Sequence, residues 1–539
     1  MNRMCRLCVL AGYSLLAASC LAGEPLSPAQ VAEQIDRSLV AELGHPWQPA
    51  ADETTMLRRV FLDLVGQPPT PDDILAYLAD DDPARLEQTI ERLLNDPAFG
   101  INWARYWRDV ILMRKSKQRA FVVEPALEEF LSEAFNENRD WRRIASAFIT
   151  AEGDVQLNGA TAIIMAQGGK PEDTVAEISR IFCGVQIQCA QCHDHPTDRW
   201  TREQFHQLAA FFPRVAVRPG NRNGERTFVV HVTDREFRFR RRPPNNNRFR
   251  GTLEHRMPDL EHPEQPGKVM EPVFFVNAQS VPLGTLDAQR RESLARWLTG
   301  EENPWFARAF VNRMWSELIG HGFYEPVDDI GPEREAKAPK TLDLLARAFV
   351  DSGHDVKWLF RTIMATRTYR QRSRAPADGQ DCSPAVMSPQ RLRADQLLNS
   401  LNVALDTSID ELAVPQRRGF GRRLNSVRRL FRVQFEYDPS DPRHEIEGSI
   451  SQALSMMNSN LATRLLRAAP GSPLAAILAA NARDEDAIDE VYLRTLSRFP
   501  TAGDVRRSLA YIEQSSSRAE AYEDLQWALV NSTEFLFRR

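Results

Sequence analysis

The stretch MLRRVFLDLVGQPPTPDD, residues 56–73, shows how this chain begins and ends its helices. Met56, Val60 and Leu64 recur at the spacing that places apolar side chains on one face of a helix. The Gly-Gln-Pro-Pro run that follows stops this helix, and the Thr-Pro pair after it supplies a cap residue and a first-turn proline for the next. The same pattern recurs along most of the chain and predicts a mainly α protein.

Composition and charge indicate a soluble globular protein. Of the 539 residues, 42% are hydrophobic and 26% are charged, which excludes a disordered chain. This length indicates about three domains. The net charge of −5 and the isoelectric point near 6.1 argue against broad nucleic-acid binding.

The first residues, 1–22, predict an export signal peptide. Two arginines precede an apolar stretch from Leu7 to Ala18, which has the length of a signal core and is too short to span a bilayer as a helix. Small residues before Gly23 supply a cleavage site, and Cys20 offers the alternative of a lipid anchor. No later segment predicts a transmembrane helix. We therefore expect an exported protein, in the periplasm or at the cell surface.

Three regions follow the signal. Residues 27–214 predict a helical domain, in which Trp103 and Trp107 belong to a bulky core face. Residues 215–280 predict a small β-rich insertion, and residues 285–539 predict a second helical domain. The sequence therefore predicts two helical domains with a small β-rich insertion between them.

Alternating apolar residues at 228–232 and 237–240 predict two strands within the insertion. The run Arg238-Phe239-Arg240-Arg241-Arg242 mixes basic and aromatic residues, a composition found on single-stranded nucleic-acid surfaces and on solvated strand edges. Because the chain is exported and carries a net negative charge, we favour the strand edge and predict no nucleic-acid partner.

One segment carries chemistry: Cys189-Ala190-Gln191-Cys192-His193, the c-type haem attachment pattern. The cysteine spacing places both thiols against the vinyl groups on one edge of the porphyrin, and the adjacent imidazole falls under the iron as the proximal ligand. Export supports this interpretation, because c-type haem is attached outside the cytoplasm. The sequence predicts haem c held by Cys189, Cys192 and His193.

The same residues allow other interpretations. Four cysteines in the mature chain are too few for a disulfide scaffold, but the two motif cysteines could form a redox or structural disulfide. Cys183, the motif cysteines and His193 or His195 could hold zinc or another divalent metal. Alternatively, His193, His195 and Asp198 could form a metal centre for hydrolysis.

The sequence identifies no distal haem ligand. His206, Met165 and Met270 are candidates, although each is better explained as an ordinary surface or core residue. The motif also follows a long helical region, whereas small cytochromes carry it near their beginning. A five-coordinate iron, open to ligand or peroxide chemistry, is therefore one interpretation.

Longer motifs extend over nearly the whole mature chain. In the first half they are 57–70, 188–196, 198–201 and 208–212. In the second half they are 312–315, 320–323, 328–331, 393–397, 451–454 and 527–536. These motifs resemble a secreted family typical of planctomycetes, which joins a planctomycete cytochrome-type domain to a C-terminal partner domain, both of unknown function. The resemblance implies an exported, cytochrome-like protein but no particular reaction.

Two stretches depart from the family's pattern. Ala338-Pro339-Lys340-Thr341 stands where the family has a Ser-His-Pro-Glu stretch, and Pro442-Arg443-His444-Glu445 stands where a Cys and an Arg are common. Of the motif residues, Asn312, Arg313, Asp328 and Asp329 could line a site, with carboxylates acting as acid and base or binding a cation. The structural alternative is that the aspartates cap a helix or pair with Arg313.

Three function classes follow. The first is an exported redox protein with covalent haem c, transferring electrons to a partner protein. The second is a metal-dependent hydrolase acting on an extracellular polymer through His193, His195 and Asp198, with contributions from Asp328 and Asp329. The third is a non-catalytic binding protein of the cell surface.

Overall fold

The computed structural model describes residues 26–44, 47–222, 224–234, 254–375, 383–409, 427–446, 448–458 and 465–539. It confirms the predicted fold class, because the chain is mainly helical and its sheets have only two or three strands. The predicted signal peptide, Cys20, Cys382 and the predicted strand at 237–240 lie outside the described residues. Every helix within the described ranges is too short or too polar to cross a membrane.

Helices α1 to α10 precede the predicted insertion. Their bounds are α1 Pro28–Leu43, α2 Glu53–Val65, α3 Pro71–Ala79, α4 Arg85–Leu94, α5 Pro97–Leu112, α6 Glu124–Asn136, α7 Trp141–Thr150, α8 Ala162–Ala166, α9 Pro171–Cys183 and α10 Arg202–Ala209.

The stretch 56–73 folds as its sequence predicts. Helix α2 ends at Val65 and is capped by Gly66, whose φ of +70° is the left-handed conformation that glycine adopts without strain. A Cβ at this position would lie 2.5 Å from Asn102 Oδ1, so the close approach of α5 also requires glycine. Helix α3 then begins with Thr70 and Asp73 in a reciprocal capping box.

The predicted insertion contains a β-hairpin. Strands β2 (Val215–Arg222) and β3 (Glu225–Val232) pair antiparallel, which confirms the strand predicted at 228–232. A short strand from the first half, β1 (Gly153–Asp154), adds to the other edge of β3, giving the order β1-β3-β2. Strands β4 (Arg256–Met257) and β5 (Lys268–Val269) form a separate antiparallel pair.

The second half is again helical. Its helices are α11 Asp287–Leu298, α12 Pro304–Ile319, α13 Pro339–Asp351, α14 Val356–Ala365, α15 Arg367–Arg370, α16 Ala394–Ala404, α17 Val427–Phe435, α18 Ile450–Asn458, α19 Pro473–Ala480, α20 Asp484–Leu496, α21 Ala502–Gln514, α22 Arg518–Val530 and α23 Thr533–Leu536. Strands β6 (Gln390–Arg391) and β7 (Phe537–Arg538) pair antiparallel.

The larger apolar core is shared by both halves. Helix α1 packs against α13 and α14, and α9 packs against α12. Trp103 and Trp107 are 2% and 1% exposed in this core, and Trp107 stacks on Phe310 of α12, as predicted for a core face. A second core combines Leu62 with apolar residues of α16, α20, α22 and neighbouring segments. The domain boundaries predicted from sequence remain predictions, since the larger core extends across them.

Candidate functional site

The Cys-x-x-Cys-His segment begins on a short 3-10 helix, and Cys192 is the residue that caps the end of this helix. Helix α9 ends at Cys183 and is capped by Gly184 (φ +64°), after which the chain enters the 3-10 helix Ile187–Gln191. Residues three apart lie above one another in a 3-10 helix. Accordingly, Ile187 and Ala190 are both fully buried, whereas Cys189 and Cys192 are both exposed. The local helix type therefore places the two motif thiols on the solvent side.

The two motif cysteines differ chemically from Cys183. Cys189 and Cys192 are exposed, unpaired thiols, so the structure does not contain the disulfide that the sequence allows between them. Cys183 is buried at the end of α9, where Asn303 Nδ2 donates to its Sγ at 3.5 Å. Burial raises the pKa of Cys183 to about 12, which keeps this thiol protonated.

The imidazole of His193 is exposed and has one nitrogen engaged. Its Nδ1 lies 2.7 Å from the carbonyl oxygen of Asp194. A carbonyl oxygen only accepts, so Nδ1 donates this hydrogen bond, and Nε2 is the nitrogen that a metal could bind. This is the tautomer that a metal-ligating histidine uses when its other nitrogen donates to the backbone.

The loop after the motif is closed by its own hydrogen bonds. The backbone N–H of His195 donates to the carbonyl of Trp200 at 2.8 Å, and Asp194 Oδ1 accepts from the N–H of Arg202 at 2.8 Å, at the start of α10. Trp200 is 1% exposed and packs edge-on against Phe275 and Trp305. This buried indole anchors an otherwise polar loop to the core.

His195 and Asp198 are used within the loop. His195 Nδ1 accepts from the N–H of Thr197 at 3.3 Å, and Asp198 Oδ1 accepts from the N–H of Arg199 at 2.7 Å. The described residues contain no group of three or more His, Cys, Asp or Glu side chains arranged to hold a metal ion. The geometry therefore gives no support to the zinc centre or to the hydrolytic centre of His193, His195 and Asp198.

A pair of buried histidines supports the 3-10 helix through a hydrogen bond to its backbone. His206 in α10 is 1% exposed; its Nε2 donates to the carbonyl of Gln191 at 3.1 Å and its Nδ1 lies 2.9 Å from His255 Nε2. Burial lowers the pKa of both imidazoles to about 4, and for His206 repulsion from His255 adds to this effect. Met165 and Met270 are 0% and 2% exposed. The three candidate distal ligands are thus core residues. His255 contacts His206, and no spacing in the sequence predicts this contact.

Asp328 connects the second half of the chain to this segment. It is fully buried, and its Oδ2 lies 2.9 Å from Arg180 Nη1 and 3.6 Å from Arg313 Nη2, while Gln186 Nε2 donates to Oδ1 at 3.0 Å. Burial raises the pKa of this carboxyl, but the neighbouring arginines outweigh burial and lower it below the usual value. Gln186 immediately precedes the 3-10 turn, so the buried carboxylate fixes the entry to the motif.

The residues after Asp328 pack directly on the motif loop. The N–H of Ile330 donates to the carbonyl of Gly184 at 2.8 Å. Asp329 pairs with Arg334 at 3.1 Å, and Arg334 donates to Thr197 at 3.2 Å. The two sets of motifs therefore meet in space, which the sequence did not predict. The predicted pairing of Arg313 with Asp328 is present, and this favours a structural role for both residues.

Asn312 and the two stretches that depart from the family's pattern also make structural contacts. Asn312 Oδ1 accepts from the N–H groups of Phe323 and Tyr324, at 2.7 and 3.0 Å. At the first departure, Thr341 Oγ1 donates to Glu42 at 2.7 Å and so ties α13 to α1. At the second, Arg443 pairs with the buried Glu317.

The fold and the exposed Cys-x-x-Cys-His turn define a helical chain whose two halves meet at one candidate site. Residues 32–217 match the family described as PSCyt2, a protein of unknown function (DUF1549), and residues 290–512 match PSD1, a protein of unknown function (DUF1553). The chain belongs to the two-domain family that joins these domains in this order, as its motifs indicate. No curated protein and no solved structure matches it.

Proposed function

We propose that this chain is an exported redox protein that carries haem c on Cys189 and Cys192, with His193 as the proximal iron ligand. The observation that carries the proposal is the pair of exposed, unbonded thiols, one on a short 3-10 helix and one at its end, followed by an imidazole whose Nδ1 is already hydrogen-bonded. When bound, the haem supplies one-electron chemistry. Export rests on the predicted signal peptide, residues 1–22.

The residues of the chain fit such a group in three respects. Both thiols are free to form thioethers, because neither is paired or buried. His193 uses Nδ1 for its backbone hydrogen bond, which leaves Nε2 to face an iron ligand position. The turn is held rigidly by His206 at the Gln191 carbonyl and by Asp328 through Gln186. These contacts orient the ligands before any cofactor is attached, and such support is typical of ligand sites.

The surroundings of the motif favour electron transfer to a partner protein. Next to the exposed thiols, Asp194, Pro196, Thr197 and Arg199 are all exposed. A group attached there is reached from solvent, and access of this kind suits exchange of electrons with a docked redox partner more than confinement of a substrate.

The experiment is production of the chain in a host that matures c-type cytochromes, followed by a haem stain after denaturing electrophoresis and a visible spectrum. We expect covalent stain in the wild type, none in the C189A/C192A double variant, and covalent haem with an altered Soret band in H193A. C183S is the matched control, because it removes a cysteine six residues from the motif and should keep the stain.

A wild-type chain without covalent haem, in a host that matures a control cytochrome c, would refute the proposal. Stoichiometric zinc or calcium in the same sample would instead favour the hydrolase, and the absence of both metal and haem would favour a non-catalytic binding protein of the cell surface.

A further inference from the structure

A second charged cluster shares no residue with the cysteine motif and is buried where residues from three parts of the chain converge. Its arginines are Arg393 at the start of α16, Arg443 in a short 3-10 turn, and Arg538 in β7, which are 7%, 8% and 3% exposed. Glu317 of α12 is 9% exposed and pairs with Arg443, while its Oε1 lies 3.7 Å from Arg393 Nε.

Several donors in this cluster have no hydrogen-bond partner among the described residues. They are Nε and Nη1 of Arg393, Nη1 of Arg443 and Nη2 of Arg538. Tyr106 is 1% exposed, and its ring lies 5.3 Å below the Arg393 guanidinium. Buried donors are nearly always satisfied in folded proteins, and an unsatisfied charged donor costs more than a neutral one.

The charges of the cluster do not balance. Arg538 pairs with Asp63 at 2.7 Å, but among the described residues Arg393 and Arg443 form ion pairs only with the one carboxylate of Glu317. Asp109 and Asp395 attract Arg393 from farther away. Burial, together with repulsion from Arg313 and Arg538, lowers the pKa of Arg443 to about 10 against an opposing effect of Tyr106. The region therefore holds a surplus of positive charge together with unused N–H donors.

We propose that this arginine cluster binds a small anion through its oxygen atoms, either a tetrahedral oxoanion or the carboxylate of an organic ligand. Guanidinium groups bind both through paired, charge-assisted hydrogen bonds, and the Tyr106 hydroxyl adds a neutral donor. The ligand would supply the negative charge and the acceptors that the described residues do not. This site is independent of the haem proposal, since it shares no residue with the cysteine motif.

The test is calorimetric titration of the full chain with sodium phosphate, sodium sulfate and sodium acetate, at an ionic strength held constant with sodium chloride. We expect one saturable site for at least one of these anions. Saturation by phosphate or sulfate would assign a tetrahedral oxoanion, and saturation by acetate alone would assign a carboxylate ligand. R443M and R393M should each weaken the Kd at least tenfold, because each removes a charged donor.

Two further variants make the result specific. R443K keeps the charge but not the planar pair of donors, and we expect a weakening between those of the wild type and R443M. R483M is the matched control, because the Arg483 side chain is 72% exposed. The Kd of R483M for the anion should stay within twofold of the wild-type value. Circular dichroism confirms that each variant is folded.

An anion that copurifies with the chain would mask the titration, so the protein is also denatured and the released anions are identified by ion chromatography. A released stoichiometric anion, lost in R443M, would support the proposal. No saturable binding together with no released anion would overturn it, and so would a Kd that R443M and R393M leave unchanged.

Discussion

Replacing Asp328 with asparagine removes a buried charge while keeping the shape of the side chain. In the wild type this carboxylate lies 2.9 Å from Arg180, 3.6 Å from Arg313 and 3.8 Å from Arg114. Arg180 keeps Glu177, which it contacts at 2.6 Å. Among the described residues, Arg313 keeps the hydroxyl of Ser440 at 3.4 Å and the ring of Trp107, but no carboxylate within ion-pair distance.

The magnitude follows from these contacts. Removing one partner of a buried ion pair costs about 3–5 kcal/mol, because the remaining charge is left uncompensated. Since Arg180 keeps Glu177, we expect the lower end, about 3 kcal/mol, for D328N. That is roughly a hundredfold change in the unfolding equilibrium. Asp329 provides the matched control, since it forms a partly exposed pair with Arg334, and D329N should cost less than about 1 kcal/mol.

The assay is urea unfolding followed by tryptophan fluorescence, for wild type, D328N and D329N. The pH dependence adds a second readout. The folded pKa of Asp328 is lowered below the ordinary 3.8, so its stabilisation is present above that value and is lost as the pH falls through the folded pKa. The difference between wild type and D328N should therefore shrink below roughly pH 4. A D328N variant as stable as D329N at neutral pH would refute the structural role of Asp328.

Three other predictions concern the fold and the site. In urea unfolding, we expect G66A to lower the free energy of unfolding by about 3 kcal/mol and G44A by about 1 kcal/mol. Both glycines have positive φ, but of the two only Gly66 would place a Cβ against a neighbour, Asn102. Equal losses of stability would contradict this. In the haem-free chain, iodoacetamide at pH 8 should modify the two exposed motif cysteines and spare the buried Cys183, whose pKa is raised to about 12. Mass spectrometry identifies the modified residues. Alkylation of Cys183 before unfolding would contradict its burial. The pKa values of His206 and His255 are lowered from 6.5 to about 4, so the folded state should lose stability as the pH falls through that window. H255Q should lose less stability over the same range, and an unchanged profile would contradict the burial of the pair.

Local signals predicted the helices well. The start of α3 is predicted by its cap residue Thr70 together with Pro71 and Asp73. The structure shows Thr70 and Asp73 in a capping box at this position. Such signals depend on neighbours within one turn, which the sequence displays directly. The strand at 228–232 was found for the same reason, because its alternation is local.

Contacts between distant residues were not predictable in this way. The edge strand Gly153–Asp154 is only two residues long, too short for any periodicity. Asp328 was recognised as a candidate, but its contact with Gln186 spans 142 residues, and nothing in either segment encodes that partner. The arginine cluster was missed for the same reason, since Arg393, Arg443 and Arg538 are ordinary charged residues until the fold buries them together.

Because both halves contribute to one apolar core, α1 is synthesised well before the helices that it packs against. Asp36 in α1 accepts hydrogen bonds from the N–H of Arg367, 331 residues later, and α1 packs against α13 and α14. At about 5–20 residues per second, roughly 15 to 65 s separate the emergence of the two partners from the ribosome. During that interval the apolar face of α1, with Val31, Ile35 and Leu39, lacks α13 and α14, the helices that it packs against. We therefore expect the nascent first half to depend on chaperones, and a chain stopped before α13 to aggregate rather than fold as an independent domain.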